Sequence, residues 1–144
     1  MIYTDSGKYA IRALTYMAAR EDQETPASAA DVAAAENIPP YYLAKVMQDL
    51  ARADLLNSVR GRGGGFVLKH APEEIRVIDI IEAVESIRRL TTECVLGLDE
   101  CSDEVSCPLH DTWSKFREEL LASFTELTLA DMVTELEKKR RANA

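Results

Sequence analysis

Apolar residues at the start of the chain recur with the period of an α-helix. Between residues 6 and 20 they fall three and four positions apart and form one face. After a polar connector, Ser28 stands three residues before Asp31, which is the spacing of a capping box at a helix N-terminus. Asn37 tolerates the left-handed conformation in which many helices end. The pattern predicts one helix over about 6–20 and a short second helix between Ser28 and Asn37.

A third helix is predicted to begin at Pro39-Pro40, because proline fits a first turn that needs no amide donor. Its apolar residues share one face and should be buried: Leu43, Val46, Met47 and Leu50. The opposite face carries hydrogen-bonding and cationic side chains: Tyr41, Lys45, Gln48 and Arg52. We expect this second face to be exposed.

Two short strand-like runs, 56–60 and 65–68, surround the turn Gly61-Arg62-Gly63-Gly64. A glycine turn between such runs is typical of a β-hairpin. Helices followed by a hairpin in this order indicate a winged helix-turn-helix. The predicted fold class is therefore mainly α with a small β-hairpin wing, followed by a long C-terminal dimerisation helix.

The second half of the chain predicts a helix over about 77–88, a loop over 90–106 and a long helix opened by Pro108. Ser106 or Cys107 would cap the long helix, and Thr128 would cap a short last helix before a frayed tail. The apolar stripe of the long helix is broad for so small a domain, so we expect a partner subunit to cover it. The residues assigned to this dimer interface are Leu109, Trp113, Phe116, Leu120 and Phe124.

Charge is distributed unevenly along the chain. The formal net charge is -8 over 144 residues, yet between residues 40 and 70 five basic side chains face only Asp49 and Asp54. A phosphate backbone responds to such local positive charge rather than to the net charge. With the third helix in the major groove, the helix and the wing would supply these DNA-binding residues: Pro40, Tyr41, Tyr42, Lys45, Gln48, Arg52, Arg60, Arg62, Gly63 and Gly64.

The three cysteines and one histidine form the pattern Cys94-x6-Cys101-x5-Cys107-x2-His110. Thiolates bind iron–sulfur clusters and zinc, and an imidazole can replace a thiolate. Cys107 at a helix N-terminus and His110 one turn later are expected to bind one site together. The wide spacing favours a cluster over zinc, and free or redox-active thiols stay open as an alternative. The acidic residues of this loop, Asp103 among them, are assigned to solvation. Since no catalytic triad or carboxylate pair stands out, the chain is not expected to be an enzyme.

Four segments together carry a family resemblance: Gly7-Lys8-Tyr9-Ala10, residues 38–43, the wing string 55–66 and the three-cysteine loop. Over nearly its whole length the chain resembles the bacterial IscR/NsrR-type winged-helix regulators. These are dimeric transcription factors, and many carry a [2Fe-2S] or [4Fe-4S] cluster. The resemblance implies that Cys94, Cys101 and Cys107 are thiolate ligands, and that His110 is a further ligand that favours [2Fe-2S] over [4Fe-4S].

The sequence departs from the family pattern at three places. The first cysteine gap has six residues where five is commoner. Lys8 stands where the nitric-oxide-sensing branch has a carboxylate ligand, although Asp5 is nearby. Ala44 replaces a glutamate used in site discrimination, so the target preference of the family is not carried over.

We therefore expect a cytoplasmic, homodimeric regulator that binds a pseudo-palindromic site in double-stranded DNA and does not enter a membrane. Its predicted domains are a DNA-binding domain over 1–88, a cluster-binding loop over 89–107 and a dimerisation helix with tail over 108–144. Two alternatives remain. One is a regulator of the same fold without a cluster, controlled by a thiol switch or a partner, and the other is a zinc-stabilised protein–protein adaptor.

Overall fold

The computed structural model describes residues 3–144, which form seven α-helices, one 3-10 turn and a two-stranded antiparallel sheet. Met1 and Ile2, with which the predicted DNA-binding domain begins, lie outside the described residues. In chain order the elements are α1 Asp5–Ala19, α2 Ala29–Glu36, α3 Pro40–Arg52, β1 Leu56–Val59, β2 Gly65–Leu68, the 3-10 turn Pro72–Glu74, α4 Val77–Val84, α5 Arg88–Thr91, α6 His110–Glu126 and α7 Leu129–Ala142. Across this described part, no helix combines the length and apolar character that crossing a bilayer requires.

The first three helices bury the apolar faces that the sequence pattern predicts. All four predicted core residues of α3 are buried, together with Leu14 of α1. The Ser28 hydroxyl accepts a hydrogen bond from the amide of Asp31 at 3.1 Å, and Asn37 adopts a left-handed φ of 53° at the end of α2. The predicted ends of α2 are therefore confirmed, because Ser28 caps its N-terminus and Asn37 ends it in the left-handed conformation.

The wing is fixed to the entry of α2 by main-chain hydrogen bonds. The Phe66 amide donates to the Ala27 carbonyl at 2.8 Å, and the Ala27 amide donates to the Phe66 carbonyl at 2.9 Å. A Cβ atom on Gly65 would lie 2.4 Å from the Ala27 carbonyl oxygen, so only glycine permits this approach. The predicted hairpin is confirmed, and its position relative to the helices is set by this contact.

The predicted helix over 77–88 is too long, because α4 ends at Val84. Glu85 is extended, with φ -156° and ψ 166°, and its carboxylate accepts hydrogen bonds from the first turn of α1. Ile87 keeps the helical spacing of the apolar pattern but lies outside α4, packed against the same core. A short helix, α5, then takes up the start of the predicted loop over 90–106.

The predicted start of the long helix is also wrong by two residues. Helix α6 begins at His110, with Leu109 as its flanking residue, so neither Ser106 nor Cys107 caps it. Pro108 and Leu109 lie in a turn instead, closed by a hydrogen bond from the His110 amide to the Cys107 carbonyl at 3.0 Å. Cys107 is thus part of the loop rather than the helix.

Helix α7 belongs to the same packed body as α1 and α2. Thr128 caps it as predicted, accepting from the Asp131 amide at 3.2 Å, but the helix continues to Ala142 where a frayed tail was expected. The buried Glu36 carboxylate accepts two hydrogen bonds from Arg140 of α7, at 2.9 and 3.1 Å, and lies 3.4 Å from Nε of Arg12. This ion cluster links α1, α2 and α7.

We predict that Glu36→Gln lowers the free energy of unfolding by roughly 1–3 kcal/mol, because a buried charged acceptor shared by two guanidinium groups is lost. Urea denaturation measures this change. Glu135→Gln is the matched control, since Glu135 forms an exposed pair with Lys138 at 3.1 Å and should change stability by at most about 0.5 kcal/mol. Equal effects of the two substitutions would contradict a structural role for the buried cluster.

Candidate functional site

Helix α3 exposes the polar face that the sequence predicts for DNA contact. Tyr41 is 92% exposed, and Lys45, Gln48 and Arg52 are exposed as well. The buried face of the same helix anchors it in the core, so the exposed side chains project from a rigid element. An exposed polar face on such a helix is what groove binding requires.

Tyr42 is oriented differently from the rest of this face. It is 39% exposed, its hydroxyl lies 2.8 Å from the Ser6 hydroxyl, and its ring meets Tyr9 edge to face at 5.2 Å. Pro40 is exposed in the first turn of α3. The start of the helix is therefore tied to α1 through Tyr42, while Pro40 and Tyr41 stay open to solvent.

Three cations on this side of the molecule have no carboxylate partner within residues 3–144: Lys45, Arg60 and Arg62. Arg52 differs, because it pairs with Asp49 at 3.2 Å. Uncompensated cations attract phosphate more strongly than paired ones. Of the charges in the predicted DNA-binding set, these three would attract the phosphates of a duplex most strongly.

The tip of the wing is a tight glycine turn. Gly63 is exposed with φ +75°, and a Cβ atom on Gly64 would lie 2.2 Å from the Val59 carbonyl oxygen. Arg60 and Arg62 are both exposed beside this turn. The glycines allow a compact tip, and the two arginines give it positive charge.

All four predicted ligands line one open cavity of about 670 Å³. The Cys101 sulfur lies 3.2 Å from Nδ1 of His110, and the Cys107 thiol makes a hydrogen bond with Cys94. Helix α6 begins at His110, which leaves Cys107 in the preceding loop and turns the imidazole toward Cys101. That Cys107 and His110 bind one site together stays a prediction, and both residues line the cavity.

Main-chain amides stabilise the thiolate form of Cys94. The amides of Leu96 and Leu98 hydrogen-bond to its sulfur and lower the pKa of Cys94, and smaller contributions from the Cys107 side chain and the Gly97 amide act in the same direction. Burial opposes the shift, since the side chain is only 8% exposed. Deprotonated sulfur is the form that binds metal and reacts with oxidants.

The second imidazole nitrogen of His110 has an acidic partner that sequence analysis missed. Nε2 lies 2.7 Å from Oδ1 of Asp103, and the His110 side chain is buried. A carboxylate can only accept a hydrogen bond, so Nε2–H is the donor here, and in the neutral imidazole Nδ1 then faces Cys101 as an acceptor. Nothing in the local sequence distinguishes Asp103 from the other loop carboxylates, because only the folded loop brings it to the imidazole.

The cysteine loop is held against α5 and α6. The Cys101 amide donates to the Thr92 carbonyl at 2.7 Å, and the Cys94 amide donates to the Asp99 carbonyl at 3.3 Å. The indole N–H of Trp113 on α6 donates to the Glu93 carbonyl at 3.1 Å. Any change in the loop therefore acts directly on these two helices.

Three thiols and an imidazole around one cavity are donors of the kind that can hold an iron–sulfur cluster. Among the described residues, no three Cys, His, Asp or Glu side chains are close enough together to surround one metal. The sulfur and imidazole donors instead form two pairs in a shared cavity. A structural zinc ion requires four ligands around one centre, whereas a cluster distributes its ligands over several iron atoms.

The predicted dimer interface is divided between two environments. Leu109 and Phe116 are 47% and 46% exposed, whereas Leu120 is half-buried. Phe124 meets Tyr3 of the same chain edge to face at 6.1 Å, and Trp113 faces the cysteine loop. The first half of α6 thus offers the exposed apolar surface, and its role in a dimer stays a prediction.

Comparison with known proteins gives one family. The family model Rrf2, described as an iron-dependent transcriptional regulator, matches residues 3–135. The HTH-type transcriptional regulator IscR of Serratia proteamaculans is 34% identical over 134 residues, which cover 92% of this chain and 79% of that protein.

Solved structures share the architecture. T. potens IscR aligns with a TM-score of 0.73 at 25% identity, over 96% of this chain and 90% of that one. CymR, the global cysteine regulator of B. subtilis, aligns with a TM-score of 0.77 at 24% identity, over 94% of this chain and 98% of that one. The likeness to CymR is one of fold. The predicted fold class, a mainly helical winged helix-turn-helix with a hairpin wing, is confirmed.

We predict that Cys94 in metal-free protein is alkylated by iodoacetamide with a pH midpoint below about 8.5, the ordinary value for cysteine. The lowered pKa of Cys94 means that the thiolate is present at lower pH. Peptide mass spectrometry across a pH series measures the midpoint. In urea the amide hydrogen bonds are lost and the midpoint should return to the ordinary value; the same midpoint in folded and unfolded protein would count against the geometry of the loop.

Proposed function

The chain belongs to the Rrf2 family of transcriptional regulators, and on that premise we propose that an iron–sulfur cluster in the cysteine cavity controls its affinity for DNA. The protein would act as a homodimer on a pseudo-palindromic operator. The observation that carries the proposal is the presence of Cys94, Cys101, Cys107 and His110 around one cavity beside α6. IscR-named relatives support an iron–sulfur cluster, and the histidine among the donors is the reason for favouring [2Fe-2S] over [4Fe-4S].

Each donor has a distinct task in this proposal. The three cysteines supply thiolates, and the main-chain amides around Cys94 keep its sulfur ready to bind. His110 would supply Nδ1, because a hydrogen bond from Nε2–H to Asp103 leaves Nδ1 free for a metal. When bound, the cluster would supply a one-electron centre whose state changes on oxidation, on reaction with nitric oxide or on loss of iron.

The DNA-binding side of the proposal depends on α3 and the wing. Tyr41 and Lys45, near the N-terminal end of α3, would reach base edges or phosphates in the major groove. Gln48 and Arg52 lie further along the helix, and Arg60 and Arg62 would contact phosphates or the minor groove. Because the rest of the chain is acidic, with a net charge of -8 overall, phosphate repulsion would favour docking through this cationic side alone.

The state of the cluster would be coupled to DNA affinity through the cysteine loop. Ligation of the four donors orders residues between α5 and α6, and these helices pack on the body that carries α3. A coupling free energy of about 1–3 kcal/mol changes affinity by roughly 5–150-fold, which is enough to switch operator occupancy.

A second candidate function is a metal-free regulator of the same fold. The lowered pKa of Cys94 and its hydrogen bond with Cys107 favour a thiol pair that reacts with oxidants. Iron and acid-labile sulfide analysis of anaerobically purified protein separates this candidate from the cluster regulator. The zinc-stabilised adaptor of the sequence analysis is not retained, because the family consists of transcriptional regulators.

We predict that Arg60→Ala and Arg62→Ala each weaken duplex binding and reduce its salt dependence. In a dimer each substitution removes two phosphate contacts, so the slope of log affinity against log salt should fall by about 2. Fluorescence anisotropy with a duplex selected from a random pool measures the slope. Arg141→Ala is the control, since Arg141 lies at the far end of α7 and pairs with Glu137. Slopes that match the control in both wing variants would exclude the wing from the interface.

We predict that anaerobically purified protein is coloured and holds iron and sulfide, and that Cys101→Ser loses both. Asp103→Ala should weaken cluster retention by about 10–100-fold, the usual effect of removing a carboxylate behind a histidine ligand. Glu104→Ala is the matched control, because Glu104 is an exposed carboxylate of the same loop. Iron and sulfide assays during chelator challenge measure retention. Colourless wild-type protein with stoichiometric zinc would contradict the cluster and leave DNA binding standing.

A further inference from the structure

We infer that Glu85 is a positioning residue that transmits the state of the cysteine loop to the recognition helix α3, through the N-terminus of α1. The inference rests on the proposed function, because it assigns the route by which the cluster site reaches the DNA-binding surface. Three joints make up this route: the central one joins Glu85 to α1, the second joins α1 to α3, and the third joins Glu85 to the cysteine loop through α5.

The central joint is a carboxylate cap supplied from a distant part of the chain. Glu85 follows α4 in an extended conformation, and its carboxylate accepts from the Thr4 amide at 2.9 and 3.0 Å and from the Gly7 amide at 3.1 Å. The Thr4 hydroxyl donates to the same carboxylate. These amides are the donors that a helix leaves unpaired in its first turn, and a negative charge there is favoured by the helix dipole.

The close approach of Glu85 depends on glycine at position 7. A Cβ atom there would lie 2.8 Å from Oε2 of Glu85 and 3.0 Å from the Tyr3 ring. Glycine is intrinsically a poor helix former, so its presence in the first turn of α1 needs a reason of this kind. The absence of a side chain is therefore matched to the carboxylate that occupies the space.

The second joint connects the capped end of α1 to α3. Ser6 lies between the two residues whose amides Glu85 binds, and its hydroxyl is 2.8 Å from the Tyr42 hydroxyl. Tyr42 is in the first turn of α3, next to the exposed Tyr41. A shift of the N-terminus of α1 is thereby passed to the turn of α3 that would enter the groove.

The third joint connects Glu85 to the cysteine loop. Helix α5 begins three positions after Glu85. The carbonyl of Thr92, the C-cap residue of α5, accepts a hydrogen bond from the Cys101 amide at 2.7 Å. Arg88 of α5 lies 3.7 Å from Glu100, which precedes Cys101. A polar cavity of about 260 Å³, lined by Thr4, Glu85 and Arg88 among others, lies between the N-terminus of α1 and α5.

The test measures duplex affinity for cluster-loaded and cluster-free protein and takes the ratio. The variants are Glu85→Ala and Ser6→Ala, and the control is Glu82→Ala. Glu82 is an exposed carboxylate on α4 and has no hydrogen bond or ion pair within the described chain. Iron content, sulfide content and the unfolding midpoint are recorded for every variant, since a merely structural residue would move these and weaken both affinities alike.

We expect the wild-type protein and Glu82→Ala to show a ratio in the range of roughly 5–150-fold. Glu85→Ala and Ser6→Ala should reduce the ratio to less than about 2-fold, with cluster content unchanged. Gly7→Ala, which displaces the carboxylate without altering it, should do the same.

The outcomes separate the inference from the proposed function. A wild-type ratio of one would overturn the proposed function and the inference together. A wild-type ratio that Glu85→Ala and Ser6→Ala both preserve would overturn the inference alone. If Glu85→Ala fails to fold, Ser6→Ala decides, because it removes one hydroxyl from the surface of α1 and leaves the cap intact.

Discussion

The main-chain hydrogen bonds that close the cysteine loop and tie it to Thr92 at the end of α5 are the constraint on which the candidate site depends. They bring Cys101 beside Thr92, and together with the start of α6 they place the sulfur and imidazole donors around one cavity. The donors satisfy one another only in pairs, Cys94 with Cys107 and Cys101 with His110. Under the proposed function, a loop held at its edges with two donor pairs at its centre would exchange those contacts for a cluster.

The same arrangement explains why an acidic protein can serve as a DNA-binding regulator. Negative charge is concentrated away from α3 and the wing, while Lys45, Arg60 and Arg62 carry no carboxylate partner among residues 3–144. Electrostatic attraction then acts on one side of the molecule and repulsion on the others. The ion cluster around Glu36 keeps α7 on the body, so the helices behind α3 form a firm support.

Much of the fold was predictable because its signals are local. Ser28, Asn37 and Pro40 mark helix ends through the chemistry of their own main chain, and the glycines of the wing permit a turn and a close contact that other residues exclude. The four ligand candidates share a cavity as the spacing suggested. These features need no knowledge of residues far away in the sequence.

The errors arise where a distant residue decides the local structure. Helix α4 ends early because Glu85 caps α1, some eighty positions away along the chain. The pairing of His110 and the role of Asp103 depend on how the loop closes, and no periodicity reports loop closure. The contact of Phe124 with Tyr3 across the body also depends on a distant residue, and it leaves the dimer-interface prediction untested.

Hydrogen–deuterium exchange of the protein with and without its cluster tests the central claim most directly. The account predicts that cluster loading slows exchange of the amides of residues 93–107. It also predicts a change of exchange in the first turns of α1 and α3, although neither turn lines the cysteine cavity. Exchange that changes only in residues 93–107, and not in α1 or α3, would contradict an account in which the loop controls the affinity for DNA.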